Sequence, residues 1–114
     1  MDPARDGVAW RCAAGAVAPG RALKLEIDGA GGILVNHDGR HYAYVNRCPH
    51  AGTPLDRRPS DFFTEDRRLL RCATHGAVFA PDTGVCVQGP CPGARLDPLW
   101  VERDGGDLVV RRWR

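Results

Sequence analysis

The sequence predicts an all-β fold, an antiparallel β-sandwich or small barrel. Fourteen glycines and nine prolines interrupt the 114 residues so often that long helices are disfavoured. Apolar residues do not recur at helical spacing over three turns anywhere in the sequence. Short segments rich in strand-forming residues instead follow one another, separated by turn residues, which is typical of sandwiches and barrels.

Nine segments are predicted strands, and two of the connections are predicted to be tight turns. Asp38-Gly39 is a strong hairpin sequence, and Asp104-Gly105-Gly106-Asp107 separates the last two strands. The segment from Pro54 to Arg67 is charged and is expected to form an irregular excursion or a short helical turn. The predicted strands cover residues 8–12, 22–27, 33–36, 41–46, 68–71, 77–79, 84–87, 99–103 and 108–113.

The length and net charge of the chain indicate a single domain that does not bind nucleic acid or a membrane surface. A chain of 114 residues suits one domain spanning 1–114, which would bury roughly two thirds of its unfolded surface. The net charge of +2 is too small to indicate a nucleic acid or a membrane surface as partner. The sequence has no apolar run of signal-peptide length or of the ~18 residues that span a membrane, so we expect a soluble cytoplasmic protein.

Cysteine and histidine spacing carries the chemical signal. The five cysteines are an odd number, and in a reducing compartment cysteines near histidines are first considered as metal ligands. Two short segments each offer one thiolate and one imidazole, followed by a glycine that lets the backbone pass close to a bound group. These segments are Cys48-Pro49-His50-Ala51-Gly52-Thr53 and Cys72-Ala73-Thr74-His75-Gly76-Ala77.

The pattern Cys-x-His, a long gap and Cys-x-x-His resembles the Rieske family, in which two cysteines bind one iron and two histidines bind the other. The resemblance implies a cluster-binding subdomain of two loops, at about 47–54 and 71–79, with a proline-bearing covering loop at about 84–93. It also implies a single [2Fe-2S] cluster. The ligands it implies are Cys48, His50, Cys72 and His75. The gap between the loops is longer than is common in the family, which we ascribe to the excursion.

A structural zinc site is the alternative, because Zn²⁺ also accepts two cysteines and two histidines. Zinc fingers usually pair cysteine with cysteine and histidine with histidine, whereas each arm here is mixed. The mixed arms therefore favour the iron–sulfur cluster over zinc.

The resemblance also indicates where the reduction potential lies. High-potential Rieske proteins carry an extra cysteine in each loop and Ser and Tyr hydroxyls that donate hydrogen bonds to sulfur. This chain has Thr53, Thr74, Ala77 and Phe79 at the corresponding positions. Because this chain has fewer hydroxyl donors to stabilise the reduced cluster, the resemblance implies a low-potential Rieske ferredoxin.

The leading functional hypothesis is an electron carrier between a reductase and a terminal oxygenase or a similar acceptor. It would be the electron-transfer component of an oxidoreductase system rather than a stand-alone catalyst. Phosphate-cradling glycine motifs are absent from the sequence, and no direct small-molecule substrate, nucleic acid or membrane partner is expected. Two alternatives remain: the small Rieske subunit of a larger reductase of the nitrite-reductase type, and a zinc-stabilised interaction module.

Three further groups of residues have two interpretations each. Cys86 and Cys91 could form a disulfide, or Cys86 could be a small buried residue. His37, Asp38 and His41 could form a 2-His-1-carboxylate iron site, but a hairpin tip favours solvated side chains. The arginines at 47, 57, 58, 67, 68 and 71 could dock a partner, but interleaved Asp56, Asp61, Glu65 and Asp66 favour a solvated surface of mixed charge.

Overall fold

The computed structural model describes residues 10–27, 29–49, 52–56, 62–73, 76–90 and 92–112. These residues form two antiparallel sheets, a six-stranded sheet with the order β1-β9-β8-β4-β3-β2 and a three-stranded sheet with the order β5-β6-β7. The strands are β1 (Trp10–Ala13), β2 (Arg21–Ile27), β3 (Ala30–His37), β4 (Arg40–Val45), β5 (Leu70–Arg71), β6 (Val78–Phe79), β7 (Cys86–Gln88), β8 (Pro98–Asp104) and β9 (Asp107–Arg111).

Each predicted strand overlaps an observed strand, so the all-β prediction is confirmed. The ends of the first and last predicted strands, at residues 8–9 and 113, lie outside the described residues. The edge strands β1 and β2 of the large sheet contact each other, which makes that sheet nearly closed. The part of the chain that the structure describes contains no helix long and apolar enough to cross a bilayer.

Both predicted tight turns form. Asp38 and Gly39 connect β3 to β4 with φ angles of 58° and 87°, so the two residues adopt the left-handed conformation of a two-residue hairpin turn. Gly105 and Gly106 connect β8 to β9 between the paired residues Asp104 and Asp107, and Gly105 adopts the left-handed conformation with a φ of 62°. These local turns set the register of the β3–β4 and β8–β9 hairpins.

The structure describes residues 54–56 and 62–67 of the excursion predicted at 54–67, and the second of these parts belongs to a turn over residues 62–69. Phe63 pairs with Leu70 across it, and the amide of Thr64 donates to the carbonyl of Leu69 at 2.9 Å. Arg67 at the tip has a φ of 59°. The described part therefore resembles a short hairpin and not a helical turn, and both phenylalanines at its base are buried.

The residues that the structure describes form two apolar clusters, one on each side of β3. Leu34 packs with residues of β2, β4 and β9 inside the nearly closed sheet. Ile33 and Val35 face the other side, where they pack with Cys48, Cys72 and the small sheet. Since neighbouring residues of a strand point to opposite faces, β3 is buried on both. The segments that carry both candidate cysteines thus rest on the outer face of the large sheet.

Tyr44 joins the two sheets. Its phenol donates a hydrogen bond of 2.6 Å to the carbonyl of Pro81, in the connection between β6 and β7. Burial, reinforced by the nearby Asp82 carboxylate, raises the pKa of the Tyr44 phenol, so the donor stays protonated. The small sheet is therefore tied to β4 by a buried polar contact as well as by apolar packing.

We expect Tyr44→Phe to lower the free energy of unfolding by about 1–3 kcal/mol, because the buried Pro81 carbonyl loses its donor. Urea denaturation of the purified protein measures the change. Tyr42→Phe on the same strand is the control, since that side chain is only half-buried and its loss of a hydroxyl should cost less than about 0.5 kcal/mol. Equal effects of the two substitutions would show that the Pro81 contact is not stabilising.

Candidate functional site

The first candidate loop is a tight turn closed at its base by two backbone hydrogen bonds. The amide of Cys48 donates to the carbonyl of Thr53 at 2.7 Å, and the amide of Gly52 donates to the carbonyl of Cys48 at 2.8 Å. Gly52 has a φ of 73°, in the left-handed region that favours glycine. The chain therefore reverses direction between Cys48 and Thr53.

The second candidate loop repeats this geometry. The amide of Cys72 donates to the carbonyl of Ala77 at 2.8 Å, and the amide of Gly76 donates to the carbonyl of Cys72 at 2.8 Å. Gly76 has a φ of 74°. In both loops a cysteine starts the turn, and a left-handed glycine four residues later closes it. The described ends of the two segments that sequence spacing singled out thus have the same backbone geometry.

The two cysteines that begin these turns lie in one place. Cys48 and Cys72 are both fully buried and belong to the same apolar cluster. A further bond ties the loops together, because the amide of Ala73 donates to the carbonyl of Leu55 at 2.7 Å. His50 and His75, the other two predicted ligands, lie outside the described residues.

A third loop packs against the second one. A Cβ built on Gly89 would lie 2.8 Å from the Cα of Ala77, so only glycine lets the two backbones approach this closely. The base of this third loop is closed by the amide of Cys86, which donates to the carbonyl of Ala94 at 2.7 Å. The Gly-Pro segment predicted as a covering loop does therefore lie against a candidate binding loop.

The family assignment agrees with this arrangement. A family model for the Rieske [2Fe-2S] domain matches residues 8–110. The chain belongs to the Rieske family. Its cofactor is accordingly one [2Fe-2S] cluster, and two buried cysteines at the start of matched turns fit the donors that such a cluster takes from protein.

Solved structures of Rieske proteins have the same fold. The ferredoxin of carbazole 1,9a-dioxygenase from Nocardioides aromaticivorans IC177 is 25% identical with a TM-score of 0.73, and the match covers 91% of this chain and 97% of the ferredoxin. A complex of reduced oxygenase and oxidised ferredoxin in carbazole 1,9a-dioxygenase gives a match with 24% identity, a TM-score of 0.76 and coverage of 94% and 95%.

A larger protein contains the same fold as one part. The terminal oxygenase of carbazole 1,9a-dioxygenase from Novosphingobium sp. KA1 matches at 20% identity with a TM-score of 0.76. The match covers 90% of this Rieske chain but only 29% of the oxygenase.

By the resemblance, Ala77 and Phe79 stand where high-potential Rieske proteins have the Ser and Tyr donors, and Thr53 and Thr74 stand where they have the extra cysteines. Phe79 and Ala77 are fully buried in the cluster that contains both cysteines, and neither side chain has a donor. Thr53 accepts the hydrogen bond from Cys48 through its main-chain carbonyl. Thr74 lies outside the described residues.

The cysteines of the third loop are only partly described. Cys86 is 2% exposed, and its Sγ donates to the carbonyl of Gln88 at 3.3 Å. It therefore occupies the small buried position expected from the sequence. Cys91 lies outside the described residues, so the disulfide that Cys86 could form with it stays a prediction.

The structure separates the residues of the alternative iron site at the β3–β4 hairpin. His41 is paired with Asn36 and shares a face with it, so the neighbouring His37 points to the opposite face. Burial and the charge of Arg103 lower the pKa of His41, which favours its neutral form. Asp38 is exposed in the turn. The two histidines cannot ligate one metal ion.

The prediction of a solvated surface of mixed charge is wrong for Asp56. The Asp56 side chain is only 3% exposed and lies 3.1 Å from the ammonium of Lys24, a residue of β2. Its other oxygen accepts a hydrogen bond of 3.1 Å from Asn46 at the end of β4. Sequence reasoning did not find Lys24 or Asn46, because both contacts depend on how β2 and the end of β4 pack against the segment that contains Asp56.

Proposed function

We propose that this Rieske protein is a one-electron carrier between a reductase and a terminal oxygenase, with its cluster held by Cys48, His50, Cys72 and His75. The observation that carries the proposal is the pair of matching turns, each of which begins with a fully buried cysteine. The sequence adds one histidine to each turn, at the second position after Cys48 and the third after Cys72.

The two pairs of proposed ligands would bind different irons of the cluster, as in the rest of the family. The thiolates of Cys48 and Cys72 would bind one iron, and the imidazoles of His50 and His75 the other. The bound cluster supplies reversible one-electron oxidation and reduction. The chain's own contribution is to hold the cysteines in place, because each turn is fixed by two backbone hydrogen bonds and the third loop packs on the second.

The oxygenase is the acceptor that comparison with the dioxygenase ferredoxins favours. In carbazole 1,9a-dioxygenase a ferredoxin with this fold forms a complex with the oxygenase, and the chain matches such ferredoxins over nearly their whole length. We propose the cytoplasm as the compartment, since a reducing environment would keep both buried thiols available until the cluster is inserted.

Electron transfer tests this proposal directly. Anaerobic protein reduced with one equivalent of dithionite is mixed with the oxidised terminal oxygenase of a carbazole dioxygenase, and the visible spectrum is followed. We expect reoxidation of the carrier by one electron per chain. Oxidation by cytochrome c but not by the oxygenase would contradict the proposed acceptor, and failure to take up an electron would contradict the carrier role.

The carrier should have a low midpoint potential. Rieske clusters span about −150 to +300 mV, and the buried Ala77 and Phe79 side chains offer no hydroxyl donor to stabilise the reduced state. We therefore expect a value near the low end of this range in an anaerobic redox titration followed by visible spectroscopy. A midpoint above about +150 mV would contradict the argument from these residues.

A further inference from the structure

We propose that the buried carboxylate of Asp56 lowers the reduction potential of the cluster, and that Lys24 limits this effect. The inference rests on the proposed cluster site. One carboxylate oxygen of Asp56 lies 3.1 Å from Lys24 Nζ, and the other accepts a hydrogen bond of 3.1 Å from Asn46 Nδ2. A side chain that is 97% buried and bonded at both oxygens has a fixed position relative to the loops.

Asp56 belongs to the segment that joins the two cluster loops. The preceding residue, Leu55, donates its amide to Asn46 Oδ1 at 2.9 Å and accepts from the amide of Ala73 at 2.7 Å. Asn46 lies two residues before Cys48, and Ala73 follows Cys72 directly. The backbone of Leu55 therefore joins the bases of both loops, and the carboxylate of the next residue, Asp56, is held beside the base of the first loop through Asn46.

The two partners of the ion pair differ in their contact with water. The Asp56 side chain is 3% exposed, whereas that of Lys24 is 51% exposed. Water and salt screen an exposed charge strongly and a buried charge weakly. The field of Lys24 is therefore attenuated more than that of Asp56, and the pair acts on nearby buried groups as a net negative charge.

The sign of the effect on the cluster follows from its charge change. Reduction adds one negative charge to the site. A fixed negative charge nearby raises the energy of the reduced form more than that of the oxidised form. Asp56 should therefore favour the oxidised cluster, which is a second cause of a low potential, independent of the missing hydroxyl donors.

The test compares midpoint potentials of four variants with that of the parent protein, after iron and sulfide analysis has shown that each is loaded. Asp56→Asn removes the charge but keeps an oxygen that can accept from Asn46. Lys24→Met removes the compensating charge, and the double variant removes both. Glu26→Gln is the matched control, because Glu26 is an exposed carboxylate on the same strand and face as Lys24.

We expect Asp56→Asn to have a higher midpoint potential than the parent and Lys24→Met a lower one, with the double variant between the two. Glu26→Gln should match the parent. A loaded Asp56→Asn protein with the parent's potential, or with the same shift as Glu26→Gln, would overturn the inference. If Asp56→Asn does not fold, the midpoint potential of Lys24→Met tests the inference. A potential equal to or higher than that of the parent would overturn it.

The outcome separates this inference from the proposed function. A parent protein without iron and sulfide would contradict the cluster site and the role of Asp56 together. If the parent contains the cluster but the variants have the same midpoint potential as the parent, only the role of Asp56 is contradicted.

Discussion

Cys72→Ala is expected to bring the iron and sulfide content of the protein to background and to remove its visible absorption. Cys72 is fully buried at the start of the second turn, and loss of its thiolate leaves three of the four proposed ligands. Water cannot easily replace the missing ligand, because the position is surrounded by buried apolar residues. Metal and sulfide analysis after anaerobic reconstitution measures the loss.

Two controls make this result specific. Cys12→Ala removes a cysteine from β1, outside all three loops, and should leave iron and sulfide unchanged. Far-ultraviolet circular dichroism of Cys72→Ala should retain the strand signal, since alanine is a small apolar residue that suits this buried position. A folded Cys72→Ala protein with the full complement of iron and sulfide would exclude Cys72 as a ligand.

Gly89→Ala is expected to lower the free energy of unfolding by about 2–6 kcal/mol and to accelerate cluster loss. The new Cβ would lie 2.8 Å from the Cα of Ala77, and the φ of Gly89 is +106°, which non-glycine residues rarely adopt. The unfavourable backbone conformation costs about 1–3 kcal/mol, and the steric overlap adds about 1–3 kcal/mol. Urea denaturation and the rate of bleaching by an iron chelator measure the two effects.

Gly93→Ala separates the two causes. Gly93 lies in the same loop with a φ of +84°, but a Cβ there would meet no atom within 4 Å. It should therefore show only the backbone cost, about 1–3 kcal/mol, and slower bleaching than Gly89→Ala. Equal destabilisation and equal bleaching in the two variants would show that the approach of Gly89 to the second loop does not hold the site together.

Local features of the sequence predicted most of the fold. Strand formers and turn residues act over a few positions, so the β3–β4 hairpin at Asp38-Gly39 and the other strand segments could be recognised without knowledge of the rest. The burial of β3 on both faces could not be predicted, because it depends on the small sheet that covers Ile33 and Val35. The order of the strands could not be predicted either, since β4 pairs with β8, which lies far from it in the sequence.

The candidate site was predictable for a different reason. Its chemistry is concentrated in two short segments, so spacing alone singled out both cysteines and both glycines. The buried ion pair was not predictable, since nothing local distinguishes Asp56 from the exposed acidic residues that follow, such as Glu65 and Asp66. Its burial arises only when Lys24 of β2 and Asn46, which follows β4, approach in the folded chain.

Iron and sulfide analysis, combined with electron paramagnetic resonance of the dithionite-reduced protein, tests the central claim most directly. We expect two irons and two labile sulfides per chain, with a paramagnetic signal that appears only on reduction and is typical of Rieske clusters. Stoichiometric zinc without sulfide, and no signal after iron–sulfur reconstitution, would contradict the cluster and the electron-carrier role.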